Sequence, residues 1–269
     1  MCGKEQLEKE VFSLFPRYQN KELHKSNFAR KKRAITLDAG LLCQKLLEKL
    51  GKQENFSMKT NSEVNMINYS RSTGQVKGVS VMGKIGQETP ADAIVVCTGA
   101  QTAQVLYQTL GVYCPITPVK SYTFDVETQA EFTPTHLVLH DQGLTSCFLK
   151  PGLMRMSLFG DLTGASFDCD NRRLRMARNT VCISLNKEEG LMAQNIKAVL
   201  RACSPDDLPV VGPLKSHPNL YLNSGHGGRG SALSLASSKL VTEMLQDGKF
   251  KSVDKEFDAK ILAPLRYQL

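Results

Sequence analysis

The chain has 269 residues, of which 41% are hydrophobic and 22% charged, with a net charge of +8; this is too apolar for a disordered chain and long enough for one large core or two lobes. No apolar run approaches the roughly 18 residues that span a bilayer, and the N-terminus MCGKEQLEKEVFSLF is charged where a secretory signal would be apolar, which predicts an intracellular protein, cytoplasmic or mitochondrial, with no membrane span. The basic excess permits weak attraction to nucleic acid or to anionic small molecules, but neither an aromatic-rich basic sheet nor a helix-turn-helix pattern accompanies it, so no specific nucleic-acid partner is expected.

Residues 1–35 are polar and irregular after a short helical start, and their densest basic run is ARKKR at 29–33. The stretch LDAGLLCQKLLEKLG follows, with apolar residues at 37, 41, 42, 46, 47 and 50. Asp38 stands where an N-cap belongs and Gly51 just past the last turn, so an amphipathic helix with both ends marked is predicted. SEVNMINY, VKGVSVMG and ADAIVVCTGA read as three strands in succession, the last an apolar run typical of a buried strand. QTAQVLYQTLG is helical and closed by Gly111.

Between Pro115 and Phe167 four strands are expected, PVKSYTFDVE, THLVLHD, TSCFLK and LMRMSLFG, separated by Pro/Gly breaks. Residues 171–200 read as mixed and largely helical. The proline-punctuated RACSPDDLPVVGP comes next, then the strand NLYLNSG, a glycine-rich turn and a long final helix. The eight cysteines are scattered without a CxxC pair, which signals neither a zinc site nor a disulfide framework. His136 and His140 invite a metal reading, but in a strand four residues span about 13 Å, too far to share one ion.

The turn after NLYLNSG holds four glycines between Gly225 and Gly230, and their spacing satisfies G-x-G-x-x-G. An ordinary Rossmann start would need a second strand with an acidic residue about 20 positions on, and then more sheet. Asp254 stands near that position, but the segment around it is strongly polar and little chain remains. What the pattern retains is open backbone amides and a positive helix end aimed at an electron-rich or anionic group.

ADAIVVCTGA, PITPVKSYTFDVE, RACSPDDLPVVGP and NLYLNSGHGGRGSALSLASSKLVTEML, in this order, resemble the FAD-dependent oxidoreductases of the D-amino-acid oxidase superfamily, nearest the D-amino-acid dehydrogenase and glycine oxidase branch. The resemblance runs from about Ile35 to Gly248. It implies a mixed α/β fold, in which a Rossmann-like FAD lobe is interrupted by a substrate lobe built on a mainly antiparallel sheet. Carried onto this chain, 36–112 and 201–269 belong to the FAD lobe, with the C-terminal tail, and 113–200 to the substrate lobe.

The resemblance also assigns roles. Gly225, His226, Gly227, Gly228, Arg229 and Gly230 match the family's turn beside the flavin ring; a plain tight turn packing helix on strand is the alternative. Thr98, Gly99 and Ala100 match its second cofactor-side turn, equally readable as an ordinary strand-to-helix turn. Arg201 matches the arginine that holds the substrate carboxylate, a task suited to a planar fork of donors; a surface arginine is the other reading. Ala202, Ser204 and Asp207 replace the family's Pro, Thr and Gly there. Lys120 and Tyr122 match the segment entering the substrate lobe, where Tyr122 either lines the substrate pocket or is a strand aromatic.

One departure is large. The family opens with a strand and a G-x-G-x-x-G loop for the FAD pyrophosphate, whereas residues 1–36 contain a single glycine, Gly3. The chain resembles the C-terminal two-thirds of such an enzyme. The expected function is FAD-dependent oxidation of a D-amino acid or related amine by hydride transfer to flavin, with no protein acid/base pair and no metal. The alternative is a truncated, non-catalytic remnant that acts as a binding or interaction module.

Overall fold

The computed structural model describes residues 37–83, 88–128, 136–139, 143–184, 193–253 and 258–268. The basic run at 29–33, His140 and Asp254 lie outside these residues. The chain divides into two compact units. One gathers Lys120–Asp161 and Ser166–Val199, the other Asp38–Val119, Leu162–Ala165 and Leu200–Leu269.

In the second unit, helix α1 (Ala39–Leu50) forms where expected: Asp38 Oδ1 accepts from the Leu41 N–H at 3.0 Å, and the Gly51 N–H closes on Leu47 O. Strands β1 (Val64–Tyr69), β2 (Val76–Val81) and β3 (Glu88–Pro90) make an antiparallel meander. The third expected strand, β4 (Ile94–Val96), does not join that meander. It pairs in parallel with β11 (Leu220–Ser224), whose other neighbour is the antiparallel β10 (Val210–Pro213). Asn219 fastens the two sheets together, accepting from Val76 N at 2.8 Å and donating to Val76 O at 2.9 Å and Asp92 O at 2.7 Å. Period-two burial of Leu220, Leu222 and Ser224 along β11 sends these side chains to one face, and the two leucines join Ile67, Val76, Val96, Leu106 and Val210 in the unit's main core. Helix α2 (Thr102–Leu110) follows β4 and contributes Leu106; Gly111, at φ 68°, ends it. On the opposite face, Val211 packs with Val241 of helix α4 (Gly230–Asp247) and with Leu262.

The first unit carries a five-stranded sheet in the order β6-β7-β8-β5-β9, formed by His136–Leu139, Leu144–Lys150, Leu153–Asp161, Thr117–Glu127 and Ala193–Cys203 for β6, β7, β8, β5 and β9 respectively. Its strands β6, β7, β8 and β5 pair antiparallel, each with the next. Tyr122, Phe124 and Val126 lie opposite Leu158, Met156 and Met154, a fully buried layer. Asp125 lies opposite Arg155 on the other side and is held by its Nε at 2.8 Å and Nη2 at 3.0 Å, with Asn195 adding a third bond at 2.9 Å. Burial pushes the Asp125 carboxyl up, but these donors outweigh it and hold the pKa below normal.

Residues 171–200 depart from the expectation of mostly helix. Helix α3 (Asn171–Ser184) is capped by Asp170, which accepts from Arg172 N at 2.7 Å, but 193–203 form β9. Pairing with β5 overrides the helical propensity of AVLRA.

Candidate functional site

Two of the sequence's candidate motifs are brought side by side by one parallel strand pair. Because β4 and β11 run in the same direction, the turn at 98–101 and the turn at 225–230 leave the carboxyl ends of adjacent strands. That is where open α/β sheets place their ligands. A hydroxyl network joins the turns: Thr102 Oγ1 lies 2.8 Å from Ser224 Oγ and donates to Gly99 O at 2.8 Å, and Ser224 Oγ also reaches Gly99 O at 3.2 Å. Thr98 Oγ1 meets Thr102 Oγ1 at 3.2 Å. Gly99 takes φ 56°, and a Cβ built there would meet nothing within 4 Å. Ala100 continues the same 3-10 turn.

In the second turn the chain itself uses the space that the glycines leave. A Cβ on Gly227 (φ 54°) would lie 2.9 Å from Asp207 Oδ1, and one on Gly228 would lie 2.9 Å from Arg201 Nη1. Gly225, at φ 76°, packs over Ser204, Val210 and Ile116. So Arg201, at the end of β9, does reach the glycine-rich turn, with its guanidinium on Gly228. Both close neighbours are side-chain atoms and not backbone.

Asp207 stands where the family's loop has glycine, and it takes the left-handed backbone at φ 57°. Aspartate is one of the non-glycine residues that tolerate this region. Its carboxylate pairs with Arg229 of the turn. Ser204 Oγ donates to Leu208 O at 2.6 Å and lies 3.4 Å from Gly225 O, and Cys203 bridges His226 through the backbone. The Cys203 thiol is pushed up by burial and by Asp207, with Arg201 opposing. His226 turns its Nε2 to Ser237 Oγ of α4 at 2.9 Å, and burial depresses its pKa.

Helix α4 begins at Gly230, and its N-cap residue, Arg229, makes no side-chain capping bond. Asn223, next to the turn, has a buried Oδ1 with no partner among the described residues. An uncapped helix end and the open face of Gly99 fit the electron-rich edge of a flat, polar ring, while the orphaned acceptor calls for a donor such as a ring N–H.

Tyr122 sits elsewhere, in the first unit. Its ring is buried within β5, and its hydroxyl accepts from Asp170 N at 3.4 Å. Lys120 is equally buried and donates to Asp168 O at 3.1 Å.

The model of the family described as FAD dependent oxidoreductase matches residues 4–244. A D-amino acid dehydrogenase from Sinorhizobium medicae (strain WSM419) is 28% identical over 178 residues, 66% of this chain and 41% of that protein. The chain thus spans about two-fifths of that curated relative. Among solved structures, L-proline dehydrogenase from P. horikoshii superposes with a TM-score of 0.64 at 16% identity, covering 77% of this chain and 54% of the other. Glycine oxidase from Geobacillus kaustophilus gives 0.59 at 19% identity, with 76% and 52% covered.

Proposed function

The chain belongs to the family of FAD-dependent oxidoreductases, and from that premise we propose that it serves the oxidation of an amino acid or related amine, the D-amino acids being the favoured class. The observation that carries this reading is the meeting of Arg201 with the turn at 225–230, beside the turn at 98–101, at the carboxyl ends of β4 and β11. A bound flavin supplies the acceptor for the hydride leaving the substrate α-carbon. Gly99, Gly227 and Gly228 would border its ring, and the α4 N-terminus would favour negative charge at the ring's polar edge. Arg201 binds the substrate carboxylate through its fork and so fixes the α-carbon in position. The second unit, with β4, β10 and β11, is the FAD lobe, and the sheet β6-β7-β8-β5-β9 belongs to the substrate lobe; Tyr122 supports that lobe from its core.

The experiment is Arg201→Ala in flavin-loaded protein. Its visible spectrum should be unchanged, while half-saturation for amino acids rises by roughly 30-fold or more, since breaking a desolvated charge pair costs on the order of 2–5 kcal/mol. Arg201→Lys should recover only part, because an ammonium lacks the fork. Equal effects on amino acids and on amines without a carboxylate would refute the role of Arg201.

A further inference from the structure

The family match ends at residue 244, yet the C-terminal segment beyond it grips the loop that carries Asp207. Arg266 Nε donates to Asp206 Oδ2 at 2.8 Å and Nη2 to Asp206 Oδ1 at 3.2 Å, a two-pronged bond to one carboxylate. The same guanidinium donates to Leu208 O at 2.8 Å and to Leu262 O at 2.8 Å. It is mostly enclosed, its side chain 13% exposed. Pro264 lies against Gly212, and Leu262 sits in the core beside α4. The segment is therefore anchored before it reaches the loop.

On its other side, the same loop is tied to the turn. Asp207 pairs with Arg229 and lies over Gly227, Ser204 reaches Gly225 O, and Cys203 bridges His226. Two adjacent aspartates thus face opposite ways: Asp206 is held by the C-terminal segment, Asp207 by the turn. Fixing Asp206 also bears on the left-handed backbone at Asp207, a conformation that persists in a non-glycine residue only when its surroundings enforce it. The Arg266 guanidinium holds the Asp206 carboxyl well below the usual carboxylate range, so this contact is charged throughout neutral and mildly acidic pH.

We infer that Arg266 is a positioning residue for the glycine-rich turn, acting through Asp206 and Asp207 on Arg229 and on the backbone at 225–230. This rests on the reading of that turn as the ligand site only for its functional meaning; the mechanical coupling stands on the contacts alone. Without Arg266, Asp207 relaxes from the left-handed region, its carboxylate leaves Gly227, and the turn loses the partner that orders Arg229.

The test is amide hydrogen exchange on the ligand-free full chain. Arg266→Ala should speed exchange at 225–230 by at least tenfold, leaving β5, β7 and β8 unchanged. Arg266→Lys should restore it only in part, since one ammonium cannot hold both carboxylate oxygens. Asp207→Asn should speed the same amides, and the double variant Arg266→Ala/Asp207→Asn should exceed the larger single effect by less than about twofold, because both break one line of contacts. Unchanged exchange at the turn in Arg266→Ala, or full additivity in the double variant, would overturn the inference. Should Arg266→Ala not fold, Arg266→Lys and Asp206→Asn carry the same comparison. A wild-type chain that binds no flavin would count against the proposed function and leave this coupling intact.

Discussion

At the scale of single residues, two glycines of the turn are explained by the neighbours they admit. Gly228→Ala would place a methyl 2.9 Å from Arg201 Nη1. Because that neighbour is a side-chain tip, we expect it to move and the fold to survive, with a stability change within about 1 kcal/mol. The cost should fall on carboxylate recognition. A titration comparing an amino acid with its decarboxylated amine should show weakening for the first and little for the second; parallel weakening of both would mean that Arg201 does not depend on Gly228. Asp207→Gly weighs two effects against each other. It removes left-handed strain of roughly 1 kcal/mol and an exposed ion pair of about 0.2–1 kcal/mol. The two nearly cancel, so thermal denaturation should register a shift of only a few degrees, while Arg229 loses its partner. A large loss of stability would show that Asp207 holds the loop by more than this one contact.

At the scale of elements, Glu243 shows how α4 is bound to the chain that follows it. Its carboxylate accepts from Lys251 N at 2.7 Å and Ser252 N at 3.0 Å, and also from the Ser252 hydroxyl. The Ser252 hydroxyl first, then these backbone donors, hold its pKa down to about 2 from 4.5. A carboxyl depressed on folding stabilises above its unfolded pKa, and that contribution fades as pH falls from 4.5 towards about 2. Glu243→Gln should therefore lower the melting temperature at pH 7, and its deficit against wild type should shrink across that acid window. A deficit constant from pH 7 to pH 3 would exclude the charge as its source. The elements also show what sequence could disclose. Helix α1 was legible to within a residue or two because Asp38 and Gly51 mark its ends locally. Gly111 and Gly248 end α2 and α4 for the same reason, both with positive φ. Strand β9 was not legible, since its extended form depends on β5, about 70 residues away. Nor was the separation of β4 from the meander before it, because which sheet a strand joins is decided by a partner, here β11, and not by its own pattern. The candidate site divides likewise. Glycine spacing marks the turn, but no local signal connects Asp206, Asp207 and Arg266, which meet only in the folded chain.

At the scale of the molecule, the contacts proposed for a flavin all lie at its ring. Gly99, the turn at 225–230 and the α4 N-terminus are the proposed ring contacts, and residues 1–36 hold only Gly3 where a pyrophosphate loop would need several glycines. A ligand held by its ring alone gains nothing from an adenosine diphosphate tail. We therefore expect this 269-residue chain to bind riboflavin and FAD with dissociation constants within about tenfold of each other, a difference of no more than roughly 1.4 kcal/mol. Quenching of flavin fluorescence, titrated with both ligands at two ionic strengths, measures this directly. Raising salt should affect the two alike if no cationic site grips the phosphates, because screening weakens exposed charge contacts selectively. FAD binding 100-fold tighter than riboflavin, and losing that advantage in high salt, would contradict the prediction. It would place a phosphate-binding site within this chain, for which ARKKR at 29–33 is the densest cluster of positive charge.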